Sequence, residues 1–285
     1  MSFEDKPESF LKVIFHKLAG VNNPGKTLSC SDYESGKWRV KDFAEYLIEW
    51  LPEFALKFSE YANFNGATGK RLLKKAANHV YTTIKKENRG EFGEILLHAL
   101  IREFFDSKPA VSKVFYKTSA NDTVKGFDAV HLVEIDDDYE IWLGEAKFYS
   151  DYKSAISDVV AEIHQHLEAG FLRNEFMFVE GKIDNAWELS PKFKELVSDR
   201  VSLDEIKKRI CIPILITYNT DVYNRYTEFN ESFKNDIVNE CNTAFSILEQ
   251  KCQGLNIKLH VFLVPLADKQ ELISYADEKL KGLQV

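Results

Sequence analysis

The amino-acid sequence predicts an α/β protein in which a sheet is covered by helices on both faces. Three observations carry this. Apolar residues recur at helical spacing in some stretches, as at Phe92, Ile95, Leu96, Ala99, Leu100, Phe104 and Phe105, and form short strand-like runs in others, as over 212–216. The two kinds of stretch alternate along the chain, the pattern of a sheet buried on both sides. With 45% apolar and 13% aromatic residues in 285, there is material for a large core, which excludes disordered and collagen-like classes.

Taken in order, an apolar start over 10–18 ends at a Gly/Asn/Pro break over 20–25, and a helix over 40–51 stops at Pro52. Residues 66–90 then concentrate Lys70, Arg71, Lys74, Lys75, Lys85, Lys86 and Arg89 against one acid, Glu87, a local charge of +6 in a chain whose net is -8. Such a concentration reads either as a phosphate-contacting surface or as a solvated helix face. The stretch GATGKR over 66–71 is not a Walker A loop, because Phe64 stands where glycine is required and Arg71 where Ser or Thr is required. ATP hydrolysis is therefore not expected.

From Glu91 a helix of about four turns is expected, with Glu91, Glu94, His98 and Arg102 as its polar stripe. Strands follow over 110–117, 127–135 and 139–147, the last two joined as a hairpin through Asp136-Asp137-Asp138. The span 154–169 is an amphipathic helix with Ala155, Ile156, Val159, Val160, Ile163 and Leu167 as its apolar stripe. The remaining expectations are a short strand over 175–179, helical segments over 190–209, a strand over 210–218, a long helix over 228–252, a strand over 257–263 and a last helix over 269–280. The organisation expected is an N-terminal region, 1–89, partly helical and basic near its end, and an α/β domain, 90–285.

No run of about 18 apolar residues occurs, and the first ten residues lack the basic and apolar parts of a signal peptide, so a cytoplasmic protein is expected. Cys30, Cys211, Cys241 and Cys252 are scattered without metal-ligand spacing and read as reduced structural thiols. An acidic chain gives no global attraction for nucleic acid, so any polyanion site must be local.

The tripeptide Glu-x-Lys occurs five times, and one case differs from the rest: Glu145-Ala146-Lys147 ends the apolar strand Ile141-Trp142-Leu143. The two-residue period of a strand sends Glu145 and Lys147 to one face. A hairpin turn between Asp136 and Asp137 would set Asp128 opposite Glu145; a turn between Asp137 and Asp138 would set it opposite Lys147. Either register gathers all three side chains. Two carboxylates brought together repel unless a cation lies between them, and oxygen donors suit Mg2+, with Mn2+ as a substitute. Lys147 could then orient or deprotonate a water and offset charge on phosphorus, a set suited to phosphodiester hydrolysis. The alternative is a structural ion pair that covers a sheet edge. His98 is expected at the surface or just behind the site, and His131 is expected to be buried.

The order helix with Glu, strand, Gly126-Phe127-Asp128 strand, Gly144-Glu145-Ala146-Lys147 strand, helix resembles the PD-(D/E)xK nuclease core, with Phe127 in place of the motif's proline. The resemblance implies a restriction-endonuclease-like mixed sheet flanked by helices, with a mainly helical N-terminal region. It implies Asp128 and Glu145 as metal ligands, Lys147 as the catalytic lysine, and Glu94, or next Glu91, as a helical carboxylate completing the metal shell. From the helix after the lysine it implies polar residues facing the groove, Gln165 or His164.

More narrowly, the Gly126-Phe127-Asp128 and 144–149 segments, together with 212–218 and 260–266, are similar to the HamA family, nuclease subunits of the bacterial Hachiman anti-phage system. That likeness implies a Mg2+-dependent deoxyribonuclease, DNA as substrate and the helicase subunit HamB as partner. Two other readings stand beside it: a catalytically silent module that binds nucleic acid or a helicase, and a stand-alone restriction-type endonuclease.

Overall fold

The computed structural model describes residues 6–20, 23–80, 89–112, 126–136 and 138–284. Seven strands form one mixed sheet, in the order β1 (Lys12–Lys17), β2 (Gly25–Cys30), β9 (Lys258–Leu266), β8 (Ile210–Asn219), β7 (Asp138–Phe148), β6 (Ala129–Ile135) and β5 (Lys108–Ser112). A separate two-stranded ribbon joins β3 (Tyr33–Glu34) to β4 (Lys37–Trp38). Strands β2, β9, β8 and β7 run parallel, and antiparallel pairs flank them on both sides. Parallel strands covered on both faces require almost unbroken apolar sequence, which 212–216 and 261–264 supply.

Four helices precede the hairpin strands in the N-terminal region: α1 (Val40–Glu49), α2 (Leu51–Ala55), α3 (Phe58–Tyr61) and α4 (Gly69–Val80). Helix α5 (Gly90–Phe105) leads into β5, and α6 (Tyr152–His166) follows β7. Between α6 and β8 come α7 (Ala169–Lys182), α8 (Ser190–Val197) and α9 (Leu203–Lys207). The set is completed by α10 (Val222–Arg225), α11 (Glu231–Lys251) and α12 (Lys269–Gly282). No helix among the described residues is long and apolar enough to cross a membrane.

The sheet crosses the expected boundary at residues 89 and 90, because β2 pairs in parallel with β9. Helix α12 adds two ion pairs to the N-terminal region, Lys279 with Glu45 and Arg89 with Asp277. The strand expected over 175–179 lies instead inside α7. Leu172, Phe176 and Val179 are buried at helical spacing, whereas Met177 and Phe178 are 64% and 63% exposed. The dense run Phe176-Met177-Phe178-Val179 looks like a strand by composition, but only its helical subset is covered. Most of the strand expected over 110–117 falls outside the described residues, and β5 ends at Ser112.

Helix α5 packs so closely on β7 that two glycines are needed at the contact. A Cβ on Gly93 would lie 2.6 Å from Cβ of Phe148, and one on Gly144 would lie 2.8 Å from Leu97 Cδ2. Overpacking of this kind costs about 1–3 kcal/mol. Gly93→Ala is accordingly expected to lower the unfolding free energy by that amount, seen as a lower urea midpoint with an unchanged slope, and an unaltered midpoint would contradict the packing.

The polar stripe of α5 is buried rather than solvated. Arg102 Nε donates to Glu53 Oε1 at 2.6 Å, and His98 Nε2 lies 3.0 Å from the same oxygen. Arg102 also donates to the Ser107 carbonyl, and Ser107 Oγ lies 2.8 Å from His131 Nδ1. His98 is therefore an interior residue and not a surface one, and His131 is buried beside it with ring centroids 5.0 Å apart. Burial lowers the His98 pKa and pushes that of His131 well down; burial takes His260 to about 3. Burial would raise Glu53, but its bonds to His98 and Arg102 outweigh that and hold it below the usual range.

A histidine held neutral in the fold stabilises it fully above the unfolded pKa near 6.5, and that contribution is lost as pH falls toward the folded value. Glu53 adds a loss lower down, below the usual carboxylate range. Thermal unfolding should therefore show Tm falling from pH 7 to pH 5 with proton uptake on unfolding, and a flat Tm over that window would contradict the assignment. All four cysteines are buried and free, and burial raises the Cys30 and Cys241 thiols to about 12, consistent with inert structural thiols.

Candidate functional site

The hairpin adopts the first of the two registers open to the sequence: Ile135 faces Asp138, and Ala129 faces Gly144. Asp136 takes φ of 49° at the turn, a left-handed conformation that Asp tolerates better than most residues. One residue before β6, Asp128 donates its backbone N–H to the Gly144 carbonyl at 2.8 Å. Its Oδ2 accepts from the Ala146 N–H at 2.8 Å. The carboxylate is thereby pinned beside the short backbone segment between Glu145 and Lys147. All three side chains are buried.

Strand parity divides β7 between two helices. Gly144 and Phe148 meet α5, whereas Glu145 and Lys147 meet α6. Asp151 caps α6 by accepting from the Ser154 N–H at 2.8 Å, which fixes where the helix begins and so which residues point inward. Two inward positions, four apart, reach the site. Lys147 Nζ donates to Glu162, and His166 Nδ1 lies 2.8 Å from Glu145 Oε1. His166 is held by stacking on Phe171, centroids 4.3 Å apart, and by an edge contact with Phe127. His164 and Gln165, which the resemblance names for the groove, are exposed beside that face. The signal for Glu162 and His166 was present in the phase of the apolar stripe, since both flank Ile163.

The Gly-Phe-Asp segment has its own support. Glu175, buried on α7, accepts from the Phe127 N–H at 3.2 Å, and a Cβ on Gly126 would come within 3.0 Å of Glu175 Oε1. Sequence reasoning missed this residue because its helix was read as a strand.

Glu91 and Glu94 are both buried on α5, on the helix that covers the opposite sheet face from Glu145 and Lys147. Among the described residues no three His, Cys, Asp or Glu side chains are placed to hold a metal ion. Glu94 therefore does not complete a three-acid set with Asp128 and Glu145 as they stand. The two carboxylates still fit a hard divalent ion in donor type and number. Mg2+ is commonly held by one or two carboxylates, with waters and substrate phosphate filling its other positions.

The basic segment divides. Lys70, Arg71 and Lys74 are exposed on α4, and Lys75 pairs with Glu60. Arg89, expected on the same phosphate-contacting surface, is instead buried and bound to Asp277. Its position just before α5 places it under α12, and no local feature of the sequence shows that. Lys85 and Lys86 lie outside the described residues.

Comparison with known proteins gives two findings. A family model described as HamA matches residues 8–280, so the match runs through the N-terminal region as well as the domain expected to carry it. The chain is also 21% identical over 257 residues to Anti-bacteriophage protein A of Escherichia coli (strain K12), a match covering 87% of this chain and 46% of that protein. It thus spans about half the length of that curated relative.

Proposed function

The chain belongs to the HamA family, and from that premise we propose that it is a divalent-metal-dependent deoxyribonuclease of the PD-(D/E)xK type acting in anti-phage defence. The observation that carries the reading is the gathering of Asp128, just before β6, with Glu145 and Lys147 at the end of the paired β7, all three buried and Asp128 pinned to the Ala146 N–H. The defence role rests on the name of the curated relative. The helicase partner, HamB, rests on the family likeness read in the sequence, which also implies that this partner's motor would supply ATP hydrolysis. Action on DNA inside the cell makes the cytoplasm its location.

Asp128 and Glu145 would hold Mg2+, with Glu94 the helical carboxylate able to join them after rearrangement. Bound there, the ion supplies Lewis acidity toward a phosphoryl oxygen and lowers the pKa of a coordinated water. The protein's own part begins with Lys147. In the free chain its ammonium is bound to Glu162, which is half-exposed and can be left to solvent. An incoming phosphodiester competes for that ammonium, and Lys147 then offsets charge developing on the phosphoryl oxygens. His166 orients the Glu145 carboxylate. The exposed cations Lys70, Arg71 and Lys74 are offered as contacts to the DNA backbone farther along the duplex.

The test is degradation of plasmid DNA by the full chain, alone and with the helicase, in Mg2+ and in EDTA. Metal-dependent cleavage that is lost in Asp128→Asn is the expected result. A second reading, a silent binding module, draws on the absence of a three-residue metal group among the described residues. DNA binding unchanged by EDTA, with no cleavage in Mg2+ or Mn2+, would establish that reading in place of the first.

A further inference from the structure

Four cations are buried among the described residues: Arg89, Arg102, Lys147 and Lys269. Three have carboxylate partners, Asp277, Glu53 and Glu162 respectively. Lys269, 6% exposed, has none among the described residues; its ammonium lies over the Phe148 ring, 5.4 Å from the centroid. Burying an unpaired charge is unfavourable, and burial accordingly lowers the Lys269 pKa. A fold that keeps such a group has a use for it, or has no better way to fill the space.

Its placement separates these two cases. Lys269 opens α12 directly after β9, and its backbone N–H donates to Asn219 Oδ1, at the end of β8, at 2.9 Å. Phe148 ends β7 immediately after Lys147. Lys269 therefore stands at the carboxyl ends of three adjacent parallel strands, the edge of an α/β sheet where ligands bind. It lies on the side of β7 opposite Lys147, so the end of the strand is flanked by one ammonium on each face. Its Nζ keeps an opening to solvent, since it is absent from the sealed, unbonded polar atoms of the interior.

We propose that Lys269 binds a phosphate of the DNA backbone next to the scissile phosphodiester, a substrate contact that rests on the nuclease reading above. The ammonium is partly screened from solvent and has no carboxylate partner among the described residues, so a phosphate provides the partner that the fold withholds. One such contact contributes about 0.9 to the slope of log K against log salt for duplex DNA.

The experiment measures binding of a labelled DNA duplex to the full chain in EDTA across a salt series, for wild type, Lys269→Met and Lys269→Arg. The expected result is a slope reduced by about one and weaker binding in the methionine variant, both restored by arginine, with thermal stability unchanged or raised in the methionine variant. An unchanged slope in a folded Lys269→Met protein overturns the proposal, as does wild-type protein that binds no DNA. If the methionine variant does not fold, acylation of Lys269 in wild-type protein gives the answer: DNA should protect it, and equal labelling with and without DNA overturns the proposal. Because the readout is binding without metal, protein that shows the Lys269 effect and yet never cleaves overturns only the nuclease reading.

Discussion

Lys147→Met is expected to lower the kcat of the proposed Mg2+-dependent DNA cleavage by about 10²–10⁴-fold, the range that a positioned proton-transfer or charge-stabilising group contributes. The size of the effect follows from the site. Lys147 shares a strand face with Glu145, and the Asp128 carboxylate is pinned to the backbone N–H of Ala146, between the two. Methionine keeps the buried stem and removes only the charge, leaving Glu162 free to turn toward solvent. The fold should therefore survive, and circular dichroism with an unchanged urea midpoint separates loss of chemistry from loss of structure. A folded variant that still cleaves at the wild-type rate removes Lys147 from the reaction.

Arg102→Met gives the largest expected loss of stability. Arg102 is fully buried and bonds through its guanidinium both to Glu53 and to the Ser107 carbonyl. Its removal strands the Glu53 carboxylate in the interior with, among the described residues, His98 as its remaining hydrogen-bond partner. Breaking one side of a buried ion pair costs about 3–5 kcal/mol. The double variant Glu53→Gln with Arg102→Met should recover part of that loss, because it leaves no uncompensated charge. Urea unfolding of the two singles and the double checks both statements; a single-variant loss below about 1 kcal/mol would show that the network is not structural.

The site was legible where its geometry is local. Either of the two turns open to the sequence brings Asp128 opposite the Glu145–Lys147 segment, so that proximity, though not the register, could be read from spacing alone. Helices α5, α6, α11 and α12 likewise announce themselves by periodicity. What the sequence hid is non-local. The pairing of β2 with β9 joins residues more than two hundred apart and leaves no mark on either segment. Glu53 lies far from Arg102 in sequence, so the stripe Glu91-Glu94-His98-Arg102 looks solvated until its partner is known.

One error and one omission have a different cause. The α7 segment carries strand-like composition on a helical pattern of burial, and only the exposure of Met177 and Phe178 separates them. On α6 the exposed His164 and Gln165 adjoin the face that meets β7, and the residues of that face itself were not singled out. His166, which stands against Glu145, continues that face one turn beyond Glu162.

Diffraction from a crystal soaked in manganese, with data collected at the manganese edge, tests the central assignment most directly. A single anomalous peak bounded by the carboxylates of Asp128 and Glu145 is the predicted result. No peak there at saturating manganese, or one bound by other residues only, would contradict the account.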